Sequence, residues 1–179
     1  MGIGEHFAPV EPRKDPRPSL DAEVRVATAA EVWGAAQLAA SFAAYAGSEA
    51  DWRGRLSRDV TEADRALLVA VANGHVVGYA RLAWVQSDAP APDGAYLTGL
   101  IVDKPNRRRG VAAALISLAV ARATAEADAL WSFYDVENGA SAALHDSLGF
   151  REVARGHIGF PGLSPDSQDV LVQLALPRS

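Results

Sequence analysis

The sequence predicts an α/β (α+β) domain: a mixed, mostly antiparallel sheet of about seven strands with four helices on its faces. Three observations carry this. Apolar runs and amphipathic stretches follow the order strand, two helices, three strands, helix, strand, helix, two strands. Asn73-Gly74 sits between two apolar runs and reads as a hairpin turn, so its flanking strands are antiparallel. The unit from Tyr96 to Val136 reads as strand–helix–strand, which sets two parallel strands side by side.

Residues 1–22 are rich in charge and proline (Pro9, Pro12, Pro16, Pro18) and are predicted as a flexible N-terminal tail ahead of a single domain, 23–179. Val24 to Thr28 alternates as a first strand. Thr28, with Glu31 three residues on, has the form of a capping box for a helix starting near Ala29 and ending near Gly47. A more polar helix covers Glu49 to Val60. Ala66–Ala72 and Val76–Trp84 are the hairpin strands, and Ser87–Gly94 is a loop. Tyr96–Val102 is the next strand, broken by Asp103-Lys104-Pro105-Asn106. A helix follows over about Arg108 to Ala127, with Val111, Leu115, Leu118 and Arg122 at helical spacing. Leu130–Val136 is a strand, and Asn138–Leu148 is a short helix closed by Gly149. Phe150–Phe160 and Asp169–Leu176 are the last strands.

Composition narrows the function. Of 179 residues, 49% are hydrophobic and 22% charged, enough for a substantial core. The net charge of -5 argues against nucleic acid or an anionic membrane as partner. With no cysteine, disulfides, thiolate metal sites and an acyl-cysteine intermediate are excluded, which fits a cytoplasmic protein. The N-terminus has no long apolar run and reads as no signal peptide, and no stretch reads as a membrane span. His6, His75, His145 and His157 lack metal-site spacing, so no metal is expected.

The most informative stretch runs from Leu100 to Leu115. An apolar strand feeds a basic turn, Arg107-Arg108-Arg109, and the turn opens a helix at Gly110-Val111-Ala112-Ala113. A helix start has unpaired amides and the positive dipole end, and small residues let an anion approach them. By itself this pattern also suits a solvated loop, a nucleic-acid patch or simple close packing. Only one glycine lies in the turn, so the dinucleotide fingerprint is absent, and no Gly-Lys-Ser/Thr follows.

Arg107-x-x-Gly110-x-Ala112 resembles the pyrophosphate motif of the GNAT acyltransferase superfamily, and Val102-x-x-Pro105 fits upstream of it. Asn138-x-x-Ser141-x-x-Leu144-His145-x-x-Leu148-Gly149-Phe150 is similar to that family's second motif, at the family's spacing. The resemblance implies a GNAT-like fold and acetyl-CoA as acetyl donor. It implies transfer to a primary amine of a small molecule by direct attack in a ternary complex, and it leaves room for a homodimer. The motif-strand backbone at Leu100, Ile101 and Val102 would hold the pantetheine arm. The amides of Arg108, Arg109, Gly110, Val111, Ala112 and Ala113 would cradle the pyrophosphate, with Arg107 bracing the turn or touching phosphate. Asn138 would bond the arm and cap its helix.

His145 stands where most members have the Tyr proposed to protonate the departing thiolate, and histidine can do the same work as general acid. Ser141, one turn earlier, reads as a packing residue. Thr98 occupies the region where many relatives place a Glu base, so Asp135 and Glu137 become the base candidates. His145 with Arg-Arg-Arg-Gly-Val-Ala is similar to the aminoglycoside 6'-N-acetyltransferase-like branch, from which Thr98 departs. Trp33, Phe42, Tyr45, Glu49, Asp51, Trp52, His157, Phe160, Asp166 and Asp169 are the acceptor-pocket candidates, a mixture suited to a small amine or polyamine-like cation. The alternatives are a protein N-terminus or lysine acetyltransferase and a non-catalytic acyl-CoA-binding protein.

Overall fold

A computed structural model describes residues 19–42, 47–86, 90–161, 163–164 and 166–177. Tyr45, most of the predicted tail and part of the Ser87–Gly94 loop lie outside the described residues. The strands are β1 (Glu23–Val26), β2 (Arg65–Ala72), β3 (His75–Val85), β4 (Gly94–Val102), β5 (Ala129–Asp135), β6 (Arg151–Gly156) and β7 (Asp169–Ala175). The helices are α1 (Val32–Ala40), α2 (Glu49–Thr61), α3 (Val111–Ala123) and α4 (Gly139–Ser147). They form one seven-stranded sheet in the order β1-β2-β3-β4-β5-β7-β6. Only β4 and β5 run parallel; the other neighbours are antiparallel. The predicted mixed sheet and four helices are therefore present. Among the described residues no helix is long and apolar enough to cross a membrane.

Helices cover both faces. Leu68, Ala70, Ala80, Leu82 and Leu97 face α3, whose buried stripe is Val111, Leu115, Ile116, Ala119 and Ala123. Arg122, predicted on this stripe, is exposed. The opposite side of the same strands, with Leu67, Val69, Tyr79 and Ile101, packs on α1 and α2. Gly78 lets α3 come close. A Cβ there would meet the Ile101 carbonyl and Val111 Cγ1, both at 3.1 Å.

Several element ends differ from the sequence expectation, each for a local reason. Thr28 and Glu31 do bond, with the Thr28 amide donating to Glu31 Oε2 at 2.7 Å, but they close a turn, and α1 begins only at Val32. The cap of α2 has the full reciprocal form: the Ser48 hydroxyl accepts from the Asp51 amide and the Asp51 carboxylate from the Ser48 amide. The third helix starts at Val111 rather than Arg108, because Arg108 (φ 60°) and Gly110 (φ 84°) are left-handed and interrupt the helix. Strand β6 stops at Gly156 (φ 108°) rather than running to Phe160.

Candidate active site

The parallel pairing of β4 with β5 covers only Ala95–Leu97 against Leu130–Ser132. Beyond it the two strands part. β4 continues to Val102 paired with β3 alone, and β5 continues to Asp135 paired with β7 alone. The parting starts at a bulge. Arg81 faces Gly99 and Leu82 faces Leu97, so Thr98 is the extra residue. A bulge bends and twists its strand, turning β4 away from β5. It also inverts the alternation, so that Leu97 and Leu100, three residues apart, both face α3.

One limb of this fork runs into the basic turn. Lys104–Asn106 make a single 3-10 turn, with the Asn106 amide donating to the Asp103 carbonyl at 2.9 Å. Arg107 spans the turn. Its Nε donates to the Val102 carbonyl at 3.0 Å, and its guanidinium lies 5.6 Å from the centre of the Phe42 ring. Arg107 therefore ties the end of β4 to the turn. The Leu20 amide donates to the Arg109 carbonyl at 3.2 Å, docking the segment just ahead of β1 on the same turn.

Gly110 is the N-cap of α3 and supplies no capping side chain. The first helical amide bond to its carbonyl comes from Ala114, at 3.0 Å, so the amides of Val111, Ala112 and Ala113 precede the helix's own bonding. A Cβ built on Gly110 would meet nothing within 4 Å. The turn is an open cradle of amide donors at a positive dipole end, beside arginines, and it fits a pyrophosphate.

The other limb leads to α4. Asn138 caps that helix, its Oδ1 accepting from the Ser141 amide at 3.0 Å. His145 is buried, 3% exposed, between Tyr134 and Phe150. Its Nδ1 lies 2.8 Å from the Ser141 carbonyl and 3.2 Å from the Ser141 hydroxyl. Its Nε2 lies 2.9 Å from the Ser132 hydroxyl, which itself stands 3.3 Å from the Leu97 carbonyl. Leu97 and Ser132 are the last paired residues, so this chain of polar groups ends at the point where the fork opens. Burial pushes the imidazole below its usual pKa, against a smaller opposite pull from the Ser141 carbonyl. Since a carbonyl only accepts, it holds the neutral ring with its proton on Nδ1, so Nε2 faces Ser132 as an acceptor and the single Ser132 hydrogen serves either Nε2 or the Leu97 carbonyl.

The opposite face of the fork, the one shared with α1 and α2, is aromatic. Tyr96, Trp131, Phe133 and Phe160 cluster there with Ile158 and Leu171. The Phe160 ring centre is 4.9 Å from Tyr96 and 4.7 Å from Phe133. Tyr96 donates to the Pro92 carbonyl at 2.7 Å, and burial drives its pKa to about 12. Of the acceptor-pocket candidates, the structure brings two to this face, Phe160 by its ring contacts and Asp169 by strand alternation. Asp51 is committed to capping α2 and Trp52 to the core between the helices and the sheet. Phe42 lies at the basic turn, and Trp33 is exposed on α1.

The sequence model of the acetyltransferase (GNAT) family matches residues 30–150. The chain belongs to this family. Solved structures share the fold. The ribosomal-protein-S18-alanine N-acetyltransferase of Escherichia coli is 19% identical with a TM-score of 0.69, over 88% of this chain and 96% of that one. NAA60 of Arabidopsis thaliana, solved with a bisubstrate analogue, is 18% identical with a TM-score of 0.68, over 88% and 99%. A GNAT-family acetyltransferase of Bacillus cereus is 15% identical with a TM-score of 0.69, over 88% and 99%. No curated protein matches the chain in sequence.

In this GNAT domain, sequence reasoning missed Ser132, which joins His145 to the fork. The available signal was a small polar residue inside Leu130-Trp131-Ser132-Phe133-Tyr134, on the face it shares with Leu130. Ser141 was expected only to pack. Its carbonyl instead orients the imidazole. Asp135, a base candidate, accepts from the Glu137 amide at 2.8 Å and so shapes the turn after β5.

Proposed function

We propose that this chain is an acetyl-CoA-dependent N-acetyltransferase acting on a primary amine in a ternary complex. The observation that carries the reading is the fork: β4 and β5 part after Leu97 and Ser132, and β4 leads directly into the amide cradle at Gly110. Extended backbone at Leu100, Ile101 and Val102 suits the amide-bearing pantetheine arm, as an added strand would. The amides of Val111, Ala112 and Ala113, with Arg108, Arg109 and the open space at Gly110, suit the pyrophosphate. With its oxygen capping α4, Asn138 keeps its amide group as a donor for the arm.

Bound acetyl-CoA supplies a thioester carbonyl to the attacking amine. His145 starts neutral. It takes, through the Ser132 hydroxyl, the proton that the nitrogen releases as the C–N bond forms. It returns that proton to sulfur as the C–S bond breaks. The basic turn and His145 are the features shared with the aminoglycoside 6'-N-acetyltransferase-like branch. Thr98 is the bulge residue and carries no carboxylate, which argues against an aminoglycoside acceptor.

A protein N-terminus or lysine side chain is the second reading, favoured by the shared fold with ribosomal-protein-alanine N-acetyltransferases. The test is thiol release from acetyl-CoA with a panel of small amines and short peptides. Release with small amines supports the first reading, and release with peptides alone supports the second. Acetyl-CoA binding without turnover on any acceptor leaves a non-catalytic binding protein.

A further inference from the structure

Asp169 is a buried carboxylate that nothing in the fold explains. It opens β7 and is 6% exposed. Its Oδ2 is shielded from solvent and has no hydrogen-bond partner. Burying a carboxylate without a partner is costly, and a native fold keeps one only where something compensates it. Directly across the sheet, Asp169 faces Asp135, the last residue of β5. Opposed residues on neighbouring strands lie about 5 Å apart at Cα, and like charges there repel. Among the described residues neither carboxylate has a basic partner. Ser167, two residues before Asp169, also has a buried hydroxyl oxygen with no partner.

The register sets where this pair points. Val170 and Val172 face α3 and α4, whereas Leu171 belongs to the aromatic cluster. Asp169 alternates with Val170 and so shares the face of Leu171, Phe133 and Phe160. This is the side of the sheet away from His145 and Ser132. Asp135 lies three residues beyond Ser132, so the pair is about 10 Å along the strand from the opening of the fork.

We infer that Asp169, with Asp135, anchors a second cationic group of the acceptor, about 10 Å from the nitrogen that is acetylated. The inference rests on the acetyltransferase reading, because that reading places the reacting nitrogen at the opening of the fork. It narrows the acceptor to a molecule with two separated cationic groups. The aromatic cluster contacts the apolar linker between them, and Ser167 Oγ accepts a further ammonium hydrogen. A single amine engages only one of these two ends.

The test compares acetyl transfer to linear monoamines and to α,ω-diamines of matched and increasing length. A further arm uses short peptides with a free N-terminus and an early lysine or, as control, glutamate. Diamines of intermediate length should show kcat/KM about tenfold or more above the matched monoamines, in line with a charged hydrogen bond. In Asp169→Asn that ratio should collapse toward one, and calorimetric acetyl-CoA binding checks that the variant is folded. Asp135→Asn should lower the same ratio and serves if Asp169→Asn does not fold. Preference for the lysine peptide over both the glutamate peptide and the diamines puts the second charge on a polypeptide; preference for the diamines puts it on a small polyamine. Equal rates for monoamines and diamines, together with equal rates for the two peptides, overturn the anchor and leave acetyl transfer standing. So does a preference for diamines or the lysine peptide that survives both Asn variants. Failure to turn over any amine or peptide overturns the transferase reading and the anchor with it.

Discussion

His145 Nε2 stands 2.9 Å from the Ser132 hydroxyl, and this contact joins α4 to the point where β4 and β5 separate. The imidazole is buried and its pKa is lowered by burial, so at neutral pH it is an acceptor toward Ser132. A neutral ring suits a group that must first receive a proton from the amine before protonating sulfur. In the mechanism proposed above, the general-acid role expected of His145 is the second half of a two-part transfer.

His145→Ala should cut turnover by at least the lower end of the about 10²–10⁴-fold associated with general acid–base catalysis. Acetyl-CoA affinity should change little. Ser132→Ala should lower kcat in the same direction by interrupting the relay. His145→Tyr should restore part of the rate. Steady-state kinetics with the true acceptor checks all three; an Ala variant at the parental rate would make His145 a packing residue.

The same burial gives a stability prediction. In the unfolded chain this histidine takes up a proton near 6.5, while in the fold its pKa is lower. The unfolded state then binds more protons, and stability falls as pH falls. The contribution is fully present above 6.5 and is lost as pH drops through 6.5 toward the folded pKa. Glu31 acts in a separate, lower window. Arg25 and the Thr28 amide hold its carboxyl down to about 2, so its contribution is lost only as pH falls from about 4.5. Urea midpoints from pH 7.5 to 5.5 should decline in the parent and flatten in His145→Gln, with Glu31→Gln leaving that range unaltered.

Gly110→Asp should weaken acetyl-CoA binding severely while the fold survives. The substitution puts a carboxylate at the mouth of the amide cradle, where an anion is expected. Gly110→Ala is the control for backbone strain. At φ 84° any side chain costs roughly 1–2 kcal/mol, and both variants share that cost. Calorimetric titration separates charge repulsion, present only in Asp, from strain.

Gly78→Ala tests whether the packing of α3 positions the cradle. Its new methyl meets backbone at Ile101 and a side chain at Val111, and only the side chain can yield. Overpacking of this kind costs about 1–3 kcal/mol. Because Val111 opens α3, coenzyme affinity should fall along with stability. Loss of stability with unchanged affinity would show that the cradle tolerates a shifted helix.

Truncation tests the docking of the Leu20–Ala22 segment. Deleting residues 1–18 should leave acetyl-CoA affinity intact. Deleting through Ala22 removes the Leu20 amide bond to the Arg109 carbonyl and the apolar contacts of Leu20 and Ala22 with the core. That longer deletion should loosen the turn and lower affinity severalfold by calorimetry.

Element order, the Asn73-Gly74 hairpin, the parallel unit and both motifs were legible in the sequence, because each depends on residues close along the chain. Periodicity marks a strand or helix, Asn-Gly demands a left-handed turn, and Asn138 caps the helix that it begins. The sequence by itself thus determined the fold class and the place where β4 turns into α3. Tertiary structure decided the rest. Strand β7 lies between β5 and β6, which sets Asp169 against Asp135, 34 residues apart in the chain. The bulge at Thr98 arises from pairing with β3, and no local pattern announces it. His145 and Ser132 meet because α4 folds back over β5 and buries the ring. Local chain chemistry sets which elements form; which side chains end up buried together depends on how the sheet orders its strands, a property of the whole chain.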